Sequence, residues 1–210
     1  MHRLPRTART ATLAARGRGA SIALLAVCAG AALAGCSGGA IAASNPASGG
    51  QSFVSGSYST TFYRPGSRPL APAVAGTALT GQHLSLRSYR GDVVVLNWWG
   101  SWCAPCRREA PALAALSRHF QSSHVQFLGV DVHDNQSAAE AFMRNFNVGY
   151  PSLNDPGGEI ALQFRDTLPP GAIPSTVIID RSGRLAGRII GGVSYQGLKA
   201  VITEVAAGKS

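Results

Sequence analysis

The stretch Trp102-Cys103-Ala104-Pro105-Cys106 constrains this chain more than any other, because two thiols three residues apart at a strand-to-helix junction form a reversible redox pair. Before it, Val93-Val94-Val95-Leu96 is a continuous β-branched and aliphatic run, the pattern of a strand buried on both faces of a mixed or parallel sheet. That run ends at Trp99-Gly100-Ser101. From Ala104 to Phe120 the apolar positions (Ala112, Leu113, Ala115, Leu116, Phe120) switch to helical spacing. Cys103 therefore falls at the helix N-terminus and Pro105 in the first turn, where proline is tolerated. Free backbone N–H groups and the helix dipole favour a thiolate at Cys103, and Cys106, one turn deeper, is expected to be less exposed. Cys103 can then attack a disulfide and Cys106 can resolve the mixed disulfide that results.

The remaining cysteines sharpen this reading. Arginines in the first eighteen positions precede an apolar stretch of 15 residues, Ala20 to Ala34, shorter than the roughly 18 or more that a spanning helix requires. This is the composition of a secretory signal. Leu33-Ala34-Gly35-Cys36 resembles the lipobox of bacterial lipoproteins, which implies lipidation of Cys36 as the mature first residue, with two acyl chains, the number at which anchoring becomes stable. Ordinary cleavage of a secreted protein and a retained signal anchor are the competing readings. No adjacent arginine pair is present in this segment, so general secretion is expected rather than twin-arginine export. Of four cysteines, Cys28 then leaves with the signal and Cys36 is lipidated, leaving Cys103 and Cys106 with only each other. His119, His124 and His133 lack ligand spacing relative to the CxxC, so a closed zinc site is disfavoured, as is a disulfide framework, and no metal is expected. His133 is expected to be a polar residue at a strand end.

The formal charge of +9 invites a nucleic-acid reading, but five of the nineteen basic residues lie in the first eighteen positions. Without them fourteen bases face ten acids, a balance of +4, and the basic residues form no stripe. Nucleic acid is not expected as a partner. No nucleotide, flavin or metal motif appears, and no cofactor is expected.

Three segments are expected: a lipoprotein-type signal peptide over 1–35, a flexible linker over 36–67 and one domain over 68–210. Ser37 to Thr60 is rich in Ser, Gly and Ala and carries no charged residue, a composition whose 24 residues would span about 25–30 Å as a coil. Phe53, Tyr58, Phe62 and Tyr63 are unusual in a pure tether, so packing of this stretch on the domain stays open. Within the domain, Val74–Leu79 and His83–Leu86 predict a hairpin. Val125–Asp131 predicts a second buried strand. Ser137–Phe146 predicts a helix with Ser137 as N-cap and Glu140 completing a capping box. A short extended piece at Tyr150–Leu153, a helix within Gly158–Arg165, strands at Val177–Asp180 and Leu185–Ile190, and a helix at Tyr195–Ala206 follow. Alternating strands and helices closed by a hairpin and a helix argue for an α/β three-layer domain.

This order of elements, the WCxxC junction and a proline just before the third core strand resemble the thioredoxin superfamily. In detail the chain from Arg68 onward looks like its exported, membrane-tethered ResA/TlpA-like branch. The text that carries the resemblance is Arg90-Gly-Asp-Val-Val-Val-Leu-Asn-Trp-Trp99, Arg107-Arg108-Glu109-Ala110-Pro111 and Ala172-Ile173-Pro174-Ser175-Thr176. The implied fold is thioredoxin-like with an N-terminal β-hairpin and a central helix/strand insert over Ser137–Leu153.

The resemblance implies Cys103 as the attacking thiol, Cys106 as the resolving one and Pro174 as a cis-proline, with the Ile173 backbone pairing to a bound substrate chain. An ordinary trans loop proline is the other reading. Asn97 stands where cytoplasmic thioredoxins have a buried aspartate, so that carboxylate cannot serve as a base here, and Glu109, one turn after Cys106, is the candidate replacement. Two readings stand for Glu109: a partly desolvated proton relay, or a solvated glutamate in the first turns of the helix. Trp102 either shields the disulfide and contacts a partner or simply packs, while Trp98 and Trp99 are expected in the core. Pro111 is expected to bend the helix.

The expected activity is thiol–disulfide exchange outside the cytoplasm. The leading form is a reductant that takes electrons from a membrane thiol carrier to disulfides of exported proteins, such as the haem-binding cysteines of apocytochrome c. An oxidase or isomerase of secreted proteins and a non-enzymatic binding lipoprotein are the alternatives. A peroxidase is disfavoured, because the Pro-x-x-x-Thr-x-x-Cys pattern is missing.

Overall fold

The computed structural model describes residues 51–55 and 58–208. The signal segment and Cys36 lie outside the described residues. Nine strands are described: β1 (Gln51–Ser55), β2 (Tyr58–Phe62), β3 (Ala75–Thr77), β4 (His83–Ser85), β5 (Val93–Trp99), β6 (Val125–Val132), β7 (Ser152–Asp155), β8 (Ser175–Ile179) and β9 (Leu185–Ile190). The helices are α1 (Ala104–His119), α2 (Gln136–Asn145), α3 (Glu159–Gln163) and α4 (Tyr195–Ala206). Seven strands form one mixed sheet in the order β1-β2-β9-β8-β5-β6-β7, and β3 and β4 pair separately. β5, β6 and β7 run parallel, β8 returns antiparallel to β5, and β9 is antiparallel to β8.

The continuous run at β5 makes it the central strand, and all seven of its residues are buried. Strand alternation divides them between two apolar layers. Val93, Val95 and Trp99 join Leu113 and Leu116 of α1, Phe142 of α2 and Leu198, Ile202 and Val205 of α4. Val94, Leu96 and Trp98 face the other way, toward Val74, Leu84, Ile160 and Phe164. Asn97 is the one polar residue of the strand and, by the same alternation, belongs to the α1 face. This is the three-layer thioredoxin-like α/β fold, with α2 and β7 in the place of the expected helix/strand insert and α3 leading on to β8.

Two expectations are corrected. The linker composition of 36–67 does not describe Gln51–Phe62, which forms the hairpin β1–β2 along the edge of the sheet. β9 would otherwise present an unpaired edge, and Thr60, Thr61 and Phe62 suit a strand that covers it. Phe62 lies over Gly187, where a Cβ would come within 2.7 Å of its ring, so glycine is required at that crossing. The cap of α2 is Asn135 rather than Ser137: its side chain accepts from the Ala138 N–H at 2.9 Å. Glu140 turns outward to Gln136 and Arg144 instead of closing a capping box. Strand and helix ends elsewhere move by a few residues, as with the extended piece, which is Ser152–Asp155.

Candidate functional site

β5 delivers the chain to the C-terminal edge of the sheet, and the loop Gly100–Trp102 turns it into α1. A Cβ on Gly100 would lie 2.7 Å from the Trp102 indole nitrogen, so a side chain there would push the indole out of its present position. Trp102 itself is 57% exposed. Cys103 is the N-cap of α1, its Sγ accepting from the Cys106 N–H at 3.2 Å, and Pro105 sits in the first turn. The two sulfurs are bonded to each other. Both cysteines are buried, with little difference between them, so the expected contrast in exposure is not seen in the disulfide form. No acidic residue occupies the first turn of α1, which leaves its N-terminal N–H groups and dipole to act on Cys103. Pro111 lies inside the helix.

Glu109 is only 3% exposed, which rules out the solvated reading. Asn97 Nδ2 donates to its Oε1 at 2.9 Å, and the Val193 N–H donates to its Oε2 at 2.8 Å. Burial pushes the Glu109 carboxyl up to about 7, against the opposing pull of these two hydrogen bonds. The neighbouring Tyr150 hydroxyl is raised as well, first by burial and then by the Glu109 charge. A recess of about 370 Å3 lined by Pro105, Arg108, Glu109, Gly192, Val193 and Ser194 opens beside the carboxyl.

Asn97 ties this carboxyl to the strand on the other side of β5. Its amide also reaches Ser175 O at 3.3 Å and Thr176 Oγ1 at 3.2 Å, just past the Ile173–Pro174 bond, which is cis. Pro174 O accepts from the Gly191 N–H, and Ser175 Oγ donates to Ala172 O. Among the described residues, no protein hydrogen bond engages the backbone N–H or C=O of Ile173, so both groups are open to an extended chain laid beside the loop. Trp98 and Trp99 are buried, in opposite layers. His133 stands exposed just past the end of β6 with its Nδ1 at Pro156 O.

Three contributors escape a reading of the sequence alone. The Val193 N–H comes from a loop 84 residues beyond Glu109. Asp134 Oδ2 accepts the Ser101 N–H at 2.6 Å and so pins the loop that leads to Cys103. Asp131, inside β6, is wholly buried. A signal for the last was present, since aspartate within a run of β-branched residues is out of place in a buried strand.

A dithiol pair capping the helix after the central strand, with a cis-proline loop entering the adjacent strand, defines a thioredoxin-like thiol–disulfide oxidoreductase. The chain belongs to the AhpC/TSA family, whose model matches residues 69–188. It is similar to the thiol-disulfide oxidoreductase ResA of Bacillus cereus, with 27% identity over 135 residues, 64% of this chain and 76% of that one. Among solved structures, a secreted thiol-disulfide isomerase from Corynebacterium glutamicum shares 29% identity with a TM-score of 0.68, covering 76% of this chain and 99% of that one. A DsbF homologue from Corynebacterium diphtheriae shares 32% identity with a TM-score of 0.66, covering 74% and 99%.

Proposed function

We propose that this enzyme works outside the cytoplasm as a reductant of disulfides in exported proteins, held to the membrane through a lipid on Cys36 and recharged by a membrane thiol carrier. The observation that carries thiol–disulfide exchange here is Glu109, a buried carboxyl one helical turn from Cys106 that burial pushes up to about 7, while the reducing direction is taken from the resemblance to the ResA/TlpA-like branch. In the reducing direction the Cys103 thiolate attacks a substrate disulfide, forming a mixed disulfide and releasing one substrate thiolate. Cys106 must then lose its proton to become a nucleophile. Glu109 as carboxylate takes that proton, and the recess beside it gives the proton a way out. Cys106 attacks Cys103 Sγ, the second substrate thiolate leaves, and two electrons have passed from the protein to the substrate. A dithiol donor restores the pair. Ile173, with its open backbone groups, would hold the substrate strand, and exposed Trp102 would add apolar contact. Apocytochrome c, with two cysteines close in sequence, is the substrate class proposed, in keeping with the resemblance to the ResA/TlpA-like branch.

The likeness to a secreted isomerase favours a second reading, in which the same residues introduce or reshuffle disulfides at a higher potential. Alkylation of acid-quenched cells separates the two. A pair that is dithiol in normal cells and becomes oxidised when the donor is deleted supports the reductant. A pair that stays oxidised with or without the donor supports the oxidase, and a protein that turns over no dithiol substrate would be a binding lipoprotein instead. Mass spectrometry of the mature N-terminus tests the anchor separately, with a diacylglyceryl-modified Cys36 as the expected finding.

A further inference from the structure

Asp131 is 0% exposed, and neither of its carboxyl oxygens meets a protein donor among the described residues. Alternation along β6 places it on the α1 face with Phe127 and Gly129, and its register partner in β5 is Trp99. Two other carboxyls act on it, Asp134 from the turn between β6 and α2 and Asp155 from β7. Both are already acceptors. Asp134 takes the Ser101 N–H on Oδ2 and the Asn135 N–H on Oδ1, and Asp155 takes the N–H groups of Ile160 and Ala161.

Among the described residues, no cation is paired with this cluster. Arg107, which reaches the same loop from α1, spends its guanidinium on Ser101 O and the Phe146 ring, and the exposed His133 is turned to Pro156 O. A wholly buried carboxylate with no donor is the costly state, so Asp131 keeps its proton. Burial, followed by the charges of Asp134 and Asp155, pushes it up to about 7. Its O–H then needs an acceptor, and Asp134 is the carboxyl at hand: it lies three residues on, just past the end of the same strand, and is bonded to Ser101, two residues past Trp99, the register partner of Asp131.

We propose that Asp131 is a positioning residue of the redox site: as a neutral acid it donates to Asp134, which in turn holds the Ser101 N–H and the loop that presents Trp102 and Cys103. The proposal rests on thiol–disulfide exchange at Cys103 and Cys106 and is independent of the direction in which electrons run. When Asp131 ionises, that donor is lost and its new charge opposes the neighbouring Asp134 carboxyl, Asp134 relaxes away from Ser101, and the approach to Cys103 loosens. Rising pH therefore works against the gain that it gives to thiolate formation.

The test follows the Ser101 amide proton by NMR from pH 4 to pH 9 in the full chain. The protein is kept oxidised so that no thiol titrates, and it carries Glu109→Gln so that the other buried carboxyl is silent. The expected result is a low-field amide resonance, typical of a short bond to a carboxylate, that moves upfield in one step near pH 7. Adding Asp131→Asn, whose amide can donate in place of the acid, should remove the step and keep the resonance at low field. Adding Asp131→Leu, which has no donor, should leave it upfield at every pH. A step that survives Asp131→Asn, or a midpoint near 4, as for a carboxylate hydrated in the ordinary way, overturns the proposal. In the otherwise unmodified chain at pH 6, Asp131→Leu should slow exchange with dithiothreitol about 3–10-fold, the equivalent of one hydrogen bond, and Asp131→Asn should stay within about twofold of the parent. If Asp131→Leu does not fold, Asp131→Asn alone decides, because loss of the step is not expected from a merely structural role.

Discussion

Glu109 and Asp131 are two buried carboxyls on the same face of the sheet, both pushed up to about 7 chiefly by burial, yet their surroundings differ in kind. Glu109 has an N–H donor on each oxygen, from Val193 and from Asn97, whose amide is itself held at Ser175 O and Thr176 Oγ1. Asp131 has no donor among the described residues and two carboxyl neighbours. The first group can lose and regain a proton without rearrangement, as a relay must. The second is satisfied only when neutral, which suits a fixed support. A displaced titration by itself does not distinguish the two, whereas a count of donors does.

The largest effect that bears on this contrast comes from the cysteines it serves. Cys103→Ser should remove exchange altogether, while Cys106→Ser should leave an attacking thiol that accumulates a mixed disulfide with substrate, visible on a non-reducing gel. Trapping through Cys103→Ser instead would reverse the assigned roles and detach Glu109 from the resolving thiol.

Next in size is the relay. Glu109→Gln keeps the shape of the site but removes the titrating group, and general acid–base contributions of about 10²–10⁴ set the upper range. A loss of about 10–100-fold in the resolving step at pH 7 is expected, with the pH–rate profile losing its inflection near 7. If Asp131→Asn produced the same loss and the same change in profile, the distinction between relay and support would collapse.

Stability against pH should show the two groups together. Each carboxyl holds its proton to a higher pH folded than unfolded, so between about pH 4 and pH 7 the native state binds more protons than the unfolded chain. Stability must therefore fall across that window and level off above it. At about 1.4 kcal/mol per unit of displacement, each group contributes on the order of 2–4 kcal/mol to the fall. Asp180, held low by its bonds to Ser182, Arg184 and Arg68 despite its partial burial, acts in the opposite sense and loses its contribution as the solution is acidified below about pH 4. Urea denaturation midpoints from pH 4 to pH 8 should decline in the parent, less steeply in Asp131→Asn or Glu109→Gln, and least in the double variant. An unchanged slope in Asp131→Asn would mean that this carboxyl titrates normally.

What could be read from the sequence and what could not divide along the range of the interactions involved. The buried run at β5, the helical spacing after Cys103 and the pattern of α4 are local signals, and those elements stand where the spacing puts them. The candidate dithiol was legible for the same reason. The hairpin β1–β2 was not, because its Ser- and Gly-rich composition resembles a tether and only the open edge of β9 gives it a partner. The burial of Glu109 depends on Val193, far along the chain, and the isolation of Asp131 depends on what its neighbours bind, so neither had a local signature.

The smallest predicted effect tests how far the two carboxyl systems are separate. Asn135 caps α2 and lies beside Asp134, so the same turn ends β6, starts the helix and anchors the Ser101 loop. Asn135→Ala removes the cap and should cost about 1 kcal/mol, whereas Ser137→Ala, inside the helix and exposed, should stay within about 0.5 kcal/mol of the parent. Because the turn supports Asp134 and makes no bond to Glu109, Asn135→Ala should broaden the Ser101 amide resonance while leaving the inflection of the exchange rate near pH 7 in place. Movement of that inflection would show that the turn and the relay are mechanically coupled. An equal cost from Ser137→Ala would return the cap to the position that the capping-box pattern suggests.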